Sequence, residues 1–169
     1  MTAPIHDDIS ELAGLRGPLI GLDLGTKTIG IAISDGLRMT ATALETVRRS
    51  KFATDAARLQ EIIAGRGIAA VVLGLPRNMD GSEGPRCQST RAFARNLAER
   101  ITQPISFWDE RLSTVAAEQA LLAADSSRKR RREVIDKVAA AFILQGALDR
   151  LAEIGRQANA QGYWNADDR

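Results

Sequence analysis

The chain has 169 residues, with 23 Lys+Arg against 21 Asp+Glu, 44% hydrophobic and 26% charged residues, a balance that excludes a disordered or disulfide-dense chain. Its longest apolar runs, near 68–72 and 138–144, fall far short of the ~20 residues that span a bilayer. One cysteine, Cys87, and one histidine, His6, exclude an internal disulfide and a Cys/His zinc site, so any metal would be held by oxygen.

The first eighteen residues carry Asp7, Asp8 and Glu11 and no apolar core, so they do not resemble a signal peptide. They are expected to form a flexible extension of a cytoplasmic protein. Residues 19–24 and 28–34 are β-branched and apolar runs separated by Gly25-Thr26-Lys27, a hairpin signal. A run at 41–47 extends the meander. Over 50–66, Phe52, Ala56, Leu59 and Ile63 recur at helical spacing, and Gly65 and Gly67 stop the helix. Residues 69–73 form an uninterrupted apolar run, the pattern of a strand buried on both faces. A turn-rich loop follows at 74–85. Phe93, Leu97 and Ile101 mark a second helix, Ile105 to Trp108 a short strand after Pro104, and 114–123 a third helix. A long helix is predicted over 131–156, and a polar tail over 157–169.

The order β-β-β-α-β-α-β-α-α describes a single α/β domain over 19–156. Its mixed central sheet starts antiparallel, continues parallel and carries helices on its faces. This order resembles the ribonuclease H-like fold. Fold alone does not give function, so the acids matter more. In Gly21-Leu22-Asp23-Leu24-Gly25 the strand period of two sets Asp23 opposite Leu22 and Leu24, with glycines as its same-face neighbours. A carboxylate flanked by residues without side chains is open to a metal or a phosphate; the alternative is an edge-strand acid facing water. Asp109-Glu110 directly follows the last strand, at the end where open α/β sheets carry ligands. Spacing alone leaves open which of the two faces the cleft, or whether the pair is only a turn ahead of a helix capped by Ser113 or Thr114. Asp136 shares a helix face with Ala139, Ala140 and Ile143. Small residues let such a helix approach a sheet, although an acid in a first helical turn also suits the helix dipole. Three acids on three elements could converge on Mg²⁺ or Mn²⁺, as one or two ions, for phosphodiester hydrolysis.

Arg128, Lys129, Arg130, Arg131 and Arg132 are consecutive cations just before the helix bearing Asp136. They suit phosphate contact without base reading, and the alternative is a solvated loop. Lys27, Arg77 and Arg111 are the further candidates for nucleic-acid contact, and Arg48, Arg49, Lys51, Arg86, Arg91 and Arg95 widen the basic surface. The loop at 74–85 lacks the spacing of a P-loop or a dinucleotide fingerprint. Loops of its length in compact domains are usually functional.

Four motifs in order carry a family resemblance: Gly21-Leu22-Asp23-Leu24-Gly25-Thr26-Lys27 with Gly30-Ile31-Ala32, Gly74-Leu75-Pro76 with Gly81-Ser82-Glu83-Gly84, Asp109-Glu110-Arg111-Leu112-Ser113-Thr114, and Asp136-Lys137-Val138-Ala139-Ala140 with Ile143-Leu144. Together, over 19–151, they resemble the YqgF (RuvX) family. The resemblance implies a ribonuclease H-like fold related to RuvC Holliday junction resolvases and a nuclease activity at the 5′ end of pre-16S rRNA. It places the family's acids on Asp23, Glu110 and Asp136. RuvC-like enzymes often carry a further acid one helical turn beyond the last of these, and here that position is Ala139. Expected partners are structured RNA or, alternatively, branched DNA, bound by a monomer or homodimer. A non-catalytic RNA-binding assembly factor is the alternative of another class. Asp23-Leu24-Gly25-Thr26 also resembles the first phosphate loop of actin-like ATPases, but the chain is too short for their two domains and has no second such loop.

Overall fold

Side chains alternating along paired strands build this fold around two separate apolar faces. In the computed structural model, residues 2–112 and 128–167 are described, with side chains described over 2–112 and 135–161. Strand β1 is Ile5–His6, β2 Leu19–Leu24, β3 Thr28–Ser34, β4 Ala41–Arg48, β5 Ala70–Leu75 and β6 Ile105–Asp109. Helix α1 is Phe52–Arg66, α2 Pro85–Ala98 and α3 Arg128–Asp167. The predicted helix at 114–123, with Ser113 and Thr114, lies outside the described residues.

The six strands lie in the order β1-β6-β5-β2-β3-β4. β2, β3 and β4 are antiparallel neighbours, while β5 pairs parallel with β2, β6 with β5, and β1 with β6. The sheet is therefore mixed, antiparallel first and parallel after, as its sequence pattern predicts. The β2–β3 turn closes on Gly25 N–H donating to the Thr28 carbonyl at 2.8 Å.

Residue parity divides the two cores. Ile20, Leu22 and Leu24 of β2, Ile29 and Ile31 of β3, and Val71, Leu73 and Leu75 of β5 pack against Ala56, Leu59, Ile62 and Ile63 of α1 and Phe93, Ala94 and Leu97 of α2. Leu19, Ala32, Ala70 and Val72 pack on the opposite face against Ala140, Ile143, Leu144, Ala147, Leu148 and Leu151 of α3. The α3 face is lined by small residues, so the helix backbone lies close to the sheet. A Cβ at Gly30 would sit 1.9 Å from the Asp136 carbonyl oxygen, and one at Gly21 would sit 2.7 Å from Leu144 Cβ.

Residues ahead of β2 belong to this architecture as well. Ile5 and His6 pair with Ile105 and Ser106, Ala3 N–H donates to the Ala98 carbonyl at 2.8 Å, and Ile9 and Leu12, in a single 3-10 turn capped by Asp8, are buried. A two-residue strand among three acids is too short to register as periodicity, which is why the sequence reads this stretch as an extension. Arg91 of α2 fastens it: the guanidinium donates to Asp7 at 2.7 Å and to Glu83 at 2.6 Å, and lies 4.7 Å over the Phe107 ring. At the other end, α3 continues unbroken from the predicted helix into the residues read as a polar tail, as far as Asp167.

Candidate active site

The parity that sorts the cores also sorts the acids. Asp23 follows Leu19 and Gly21 on the α3 face of β2, directly opposite Gly30 of β3. Glu110 continues the Ser106 and Trp108 side of β6, whereas Asp109 continues the Ile105 and Phe107 side. A Cβ at Gly74 would meet Glu110 Oε1 at 2.6 Å, so the absent side chain of β5 makes the space the carboxyl occupies. Asp136 is carried onto the same face by α3, where Thr28 Oγ1 donates to its Oδ2.

Asp23 and Glu110 share a hydrogen bond between their carboxyls. Burial is the largest influence on both and pushes both upward. Glu110 is pushed up to about 8, next by the charge of Asp23, and Asp23 is raised further by the charge of Asp136. Glu110 thus donates and Asp23 accepts, because two carboxylates this close cannot both ionise unless a cation joins them. Arg86, in the first turn of α2, opposes the rise at both acids.

Asp109 has a different environment. Arg111 donates to it from Nη2 at 2.6 Å, from Nε at 2.9 Å and from its backbone N–H at 3.0 Å. That pairing holds the Asp109 carboxyl below the usual range. Arg111 Nη1 also donates to the Met79 carbonyl at 3.3 Å, so this cation ties the strand end to the glycine loop. Of the adjacent acids, Glu110 meets Asp23, and Asp109 is the anchor of an arginine.

The other basic residues scatter around this centre. Lys27 is exposed in the β2–β3 turn. Arg77 is half-buried and lines a cleft of about 430 Å³ with Trp108, and its Nε is shielded from solvent without a hydrogen-bond partner. Arg128 to Arg132 open α3, and their side chains lie outside the described residues. A second cleft of about 330 Å³ is lined by Gly25, Thr26, Arg49, Arg86 and Ser89. Arg86 and Thr28 are the two residues that pattern reading missed as parts of the acid site. Arg86 is one cation among many in the sequence, although its position just after the glycine loop was a signal; Thr28 becomes legible only once the register puts it under α3.

Among the described residues no three acid, histidine or cysteine side chains are grouped closely enough to enclose an ion; Asp136 accepts from Thr28. The donor set is nonetheless all oxygen, with two of its members already in contact, which is the chemistry of a hard divalent cation.

A mixed sheet with α1 and α2 on one face, α3 on the other and carboxyls at the ends of its central strands defines the ribonuclease H-like class. The yeast mitochondrial Holliday junction resolvase Ydc2 shares this fold, with a TM-score of 0.53 and 10% identity over 92% of this chain and 88% of that one. Residues 17–150 match the RuvX family model, described as Holliday junction resolvase. A relative in Cereibacter sphaeroides named "Putative pre-16S rRNA nuclease" is 68% identical over 92% of this chain and 99% of its own length. One of the same name in Rhodobacter capsulatus is 65% identical over 92% and 98%. The chain belongs to the RuvX family.

Proposed function

We propose that this protein is an endonuclease that hydrolyses phosphodiester bonds in structured nucleic acid, and that its task is 5′-end processing of pre-16S rRNA in the cytoplasm. The observation that carries this reading is the Asp23–Glu110 carboxyl pair facing Asp136 across the α3 side of the sheet. Half-buried carboxyls that share a proton are costly to the fold, and a ligand that replaces the proton accounts for them.

That ligand is Mg²⁺ or Mn²⁺, held by Asp23, Glu110 and Asp136. When bound, it supplies the Lewis acidity that activates water and stabilises the leaving oxygen. The protein's own groups do the rest. Arg86 offsets negative charge beside the pair, Thr28 orients Asp136, and Arg77, Lys27 and Arg128 to Arg132 contact the backbone of the nucleic acid. Arg111 acts through the loop it fastens. In the reaction a water oxygen bonds to phosphorus and gives up one proton, the bond from phosphorus to the leaving oxygen breaks, and that oxygen takes up one proton, so no net proton is consumed.

A branched DNA substrate is the second reading, favoured by the description of the matching family as Holliday junction resolvase. The test is cleavage of a pre-16S leader RNA and of a four-way DNA junction, with and without Mg²⁺ or Mn²⁺, by the wild type and by Asp23→Asn. Metal-dependent cleavage of the RNA by the wild type alone is expected. Binding without cleavage under every condition would overturn the reading in favour of an RNA-binding assembly factor.

A further inference from the structure

Two turns of this molecule present large apolar side chains to solvent, and they lie at opposite ends of the sheet. Leu37 and Met39 occupy the β3–β4 turn, 81% and 69% exposed; Met79 occupies the tip of the glycine loop, 91% exposed. Single exposed apolar residues are ordinary. Met39 is braced as well, its N–H donating to Asp35 at 2.8 Å and its carbonyl accepting from Gln145 at 3.1 Å, so Met79 differs from the other two in what lies beside it.

The turn beneath Met79 is braced on several sides. Asn78 N–H donates to the Ser82 carbonyl and Gly81 N–H to the Asn78 carbonyl, both at 2.9 Å. The Asn78 amide donates to Ser82 Oγ at 3.0 Å, and Ser82 donates to Asp80 from N–H at 2.9 Å and from Oγ at 2.6 Å. Gly81 takes φ +87°, a conformation that side chains disfavour. The brace is then fixed to the acid site at two points. The Arg111 guanidinium spans from Asp109 to the Met79 carbonyl, and the loop leaves β5 after Leu75, one residue beyond Gly74, whose open space receives Glu110. Leu112, two residues beyond Glu110, is itself 71% exposed.

We infer that Met79 is a wedge: a positioning residue that enters the base stack of the nucleic acid next to the bond being cut. The inference rests on the nucleic-acid reading of the cleft and adds to it a named residue and a named contact. A flexible loop would fold its apolar tip away, whereas a braced one must hold it out. Apolar side chains, methionine among them, are used to unstack and kink nucleic acid, at a cost of a few kcal/mol per step. The polarisable thioether suits contact with an aromatic face. Cations at Arg77 and Arg86 flank the same strand ends, so the backbone would be held while a base is displaced. Leu37 and Met39 sit at the other end of β3, a strand length of about 20 Å away, and serve as controls.

The experiment uses full-length protein and two probes, a hairpin RNA with a single-stranded leader and a four-way DNA junction, each carrying 2-aminopurine at successive positions. Binding is read in the Asp23→Asn background, so that cleavage does not intervene. A fluorescence rise is expected at one or two adjacent positions of one probe, lost in Met79→Ala, kept in Met79→Leu and kept in Leu37→Ala. With Asp23 intact, Met79→Ala should lower cleavage at saturating substrate by about tenfold, with a smaller change in KM. Loss of the rise in Leu37→Ala, or an unchanged rise in Met79→Ala, overturns the wedge. So does failure to bind either probe, or a Met79→Ala variant altered only in sedimentation, which would mark the tip as a contact between copies. A Met79-dependent rise in a wild type that cuts nothing would uphold the wedge while removing the nuclease reading.

Discussion

At the end of the sheet away from the acids, Asp35 in the β3–β4 turn accepts from the N–H groups of Met39 and Thr40 at 2.8 and 2.9 Å. Those donors hold its carboxyl below the usual range. At the other end Asp23 is raised by burial and shares a proton with Glu110. One aspartate is satisfied by its own backbone and completes a turn, and the other is left wanting a counter-charge. Function is legible in that difference: an acid whose demands the fold meets is structural, and an acid whose demands it leaves open is waiting for something else.

The largest contrast is expected from adding one methyl group at each end. Gly36→Ala at the far turn meets nothing within 4 Å, whereas Gly30→Ala drives a Cβ into the Asp136 carbonyl. Gly30→Ala should cost about 3 kcal/mol or more, since backbone cannot step aside as a rotamer can. Thermal melting measures it, and Gly36→Ala should melt with the wild type.

Next in size are the charge deletions. Asp23→Asn and Glu110→Gln should each lower cleavage by about 100-fold or more while keeping the fold, by analogy with the losses seen even for residues that merely support metal ligands. Asp35→Asn should leave cleavage unchanged. Asp109→Asn should fall between, because it loosens Arg111; a loss from Asp109→Asn exceeding that from Glu110→Gln would contradict the assignment of Glu110.

The two ends should also respond to pH with opposite sign. Glu110 holds its proton up to about 8 in the metal-free fold, while the unfolded chain releases it near ~4.3. Between those values the folded state binds more protons, so stability falls as pH rises from about 5 to 8. Glu110→Gln should flatten that fall, and Mg²⁺ should reverse it, both read from melting temperature against pH. Asp35, held low, supports the fold at neutral pH, and that support is lost as pH falls through the acid range; Asp35→Asn should remove this acid-side dependence alone.

The smallest effect on chemistry is expected from the opening of α3. Replacing Arg128, Arg130 and Arg132 with Ala should flatten the slope of log K against log salt by roughly 2 to 3, with cleavage at saturating substrate retained. An unchanged slope would make the cluster a solvated helix end.

The parts of this molecule that the sequence discloses are those written in periodicity. Apolar runs bounded by turn residues placed β2, β3 and β5, helical spacing placed α1 and α2, and glycines beside Asp23 flagged an open carboxylate. What stayed hidden depended on register between distant segments. Spacing alone cannot tell Asp109 from Glu110, whereas aligning β6 with β5 does, since parity then sends one to each face. Thr28 gains its role only when α3 lies across it. The first strand escaped because two residues carry no period, and its hold comes from Ile9, Leu12 and a cation eighty-four positions away from Asp7.

That cation, Arg91, gives the loop and the N-terminal segment a common thermodynamic fate. Because one guanidinium serves both Asp7 and Glu83, docking of the first strand and ordering of the glycine loop form a linked equilibrium, in which each must favour the other by the same factor. Trimming or fusing a partner to the first few residues would therefore be felt as a change in loop order, some distance from the cut. A double-mutant cycle between Asp7 and Glu83 would measure that coupling directly, with Arg91 as the only side chain they both touch among the described contacts.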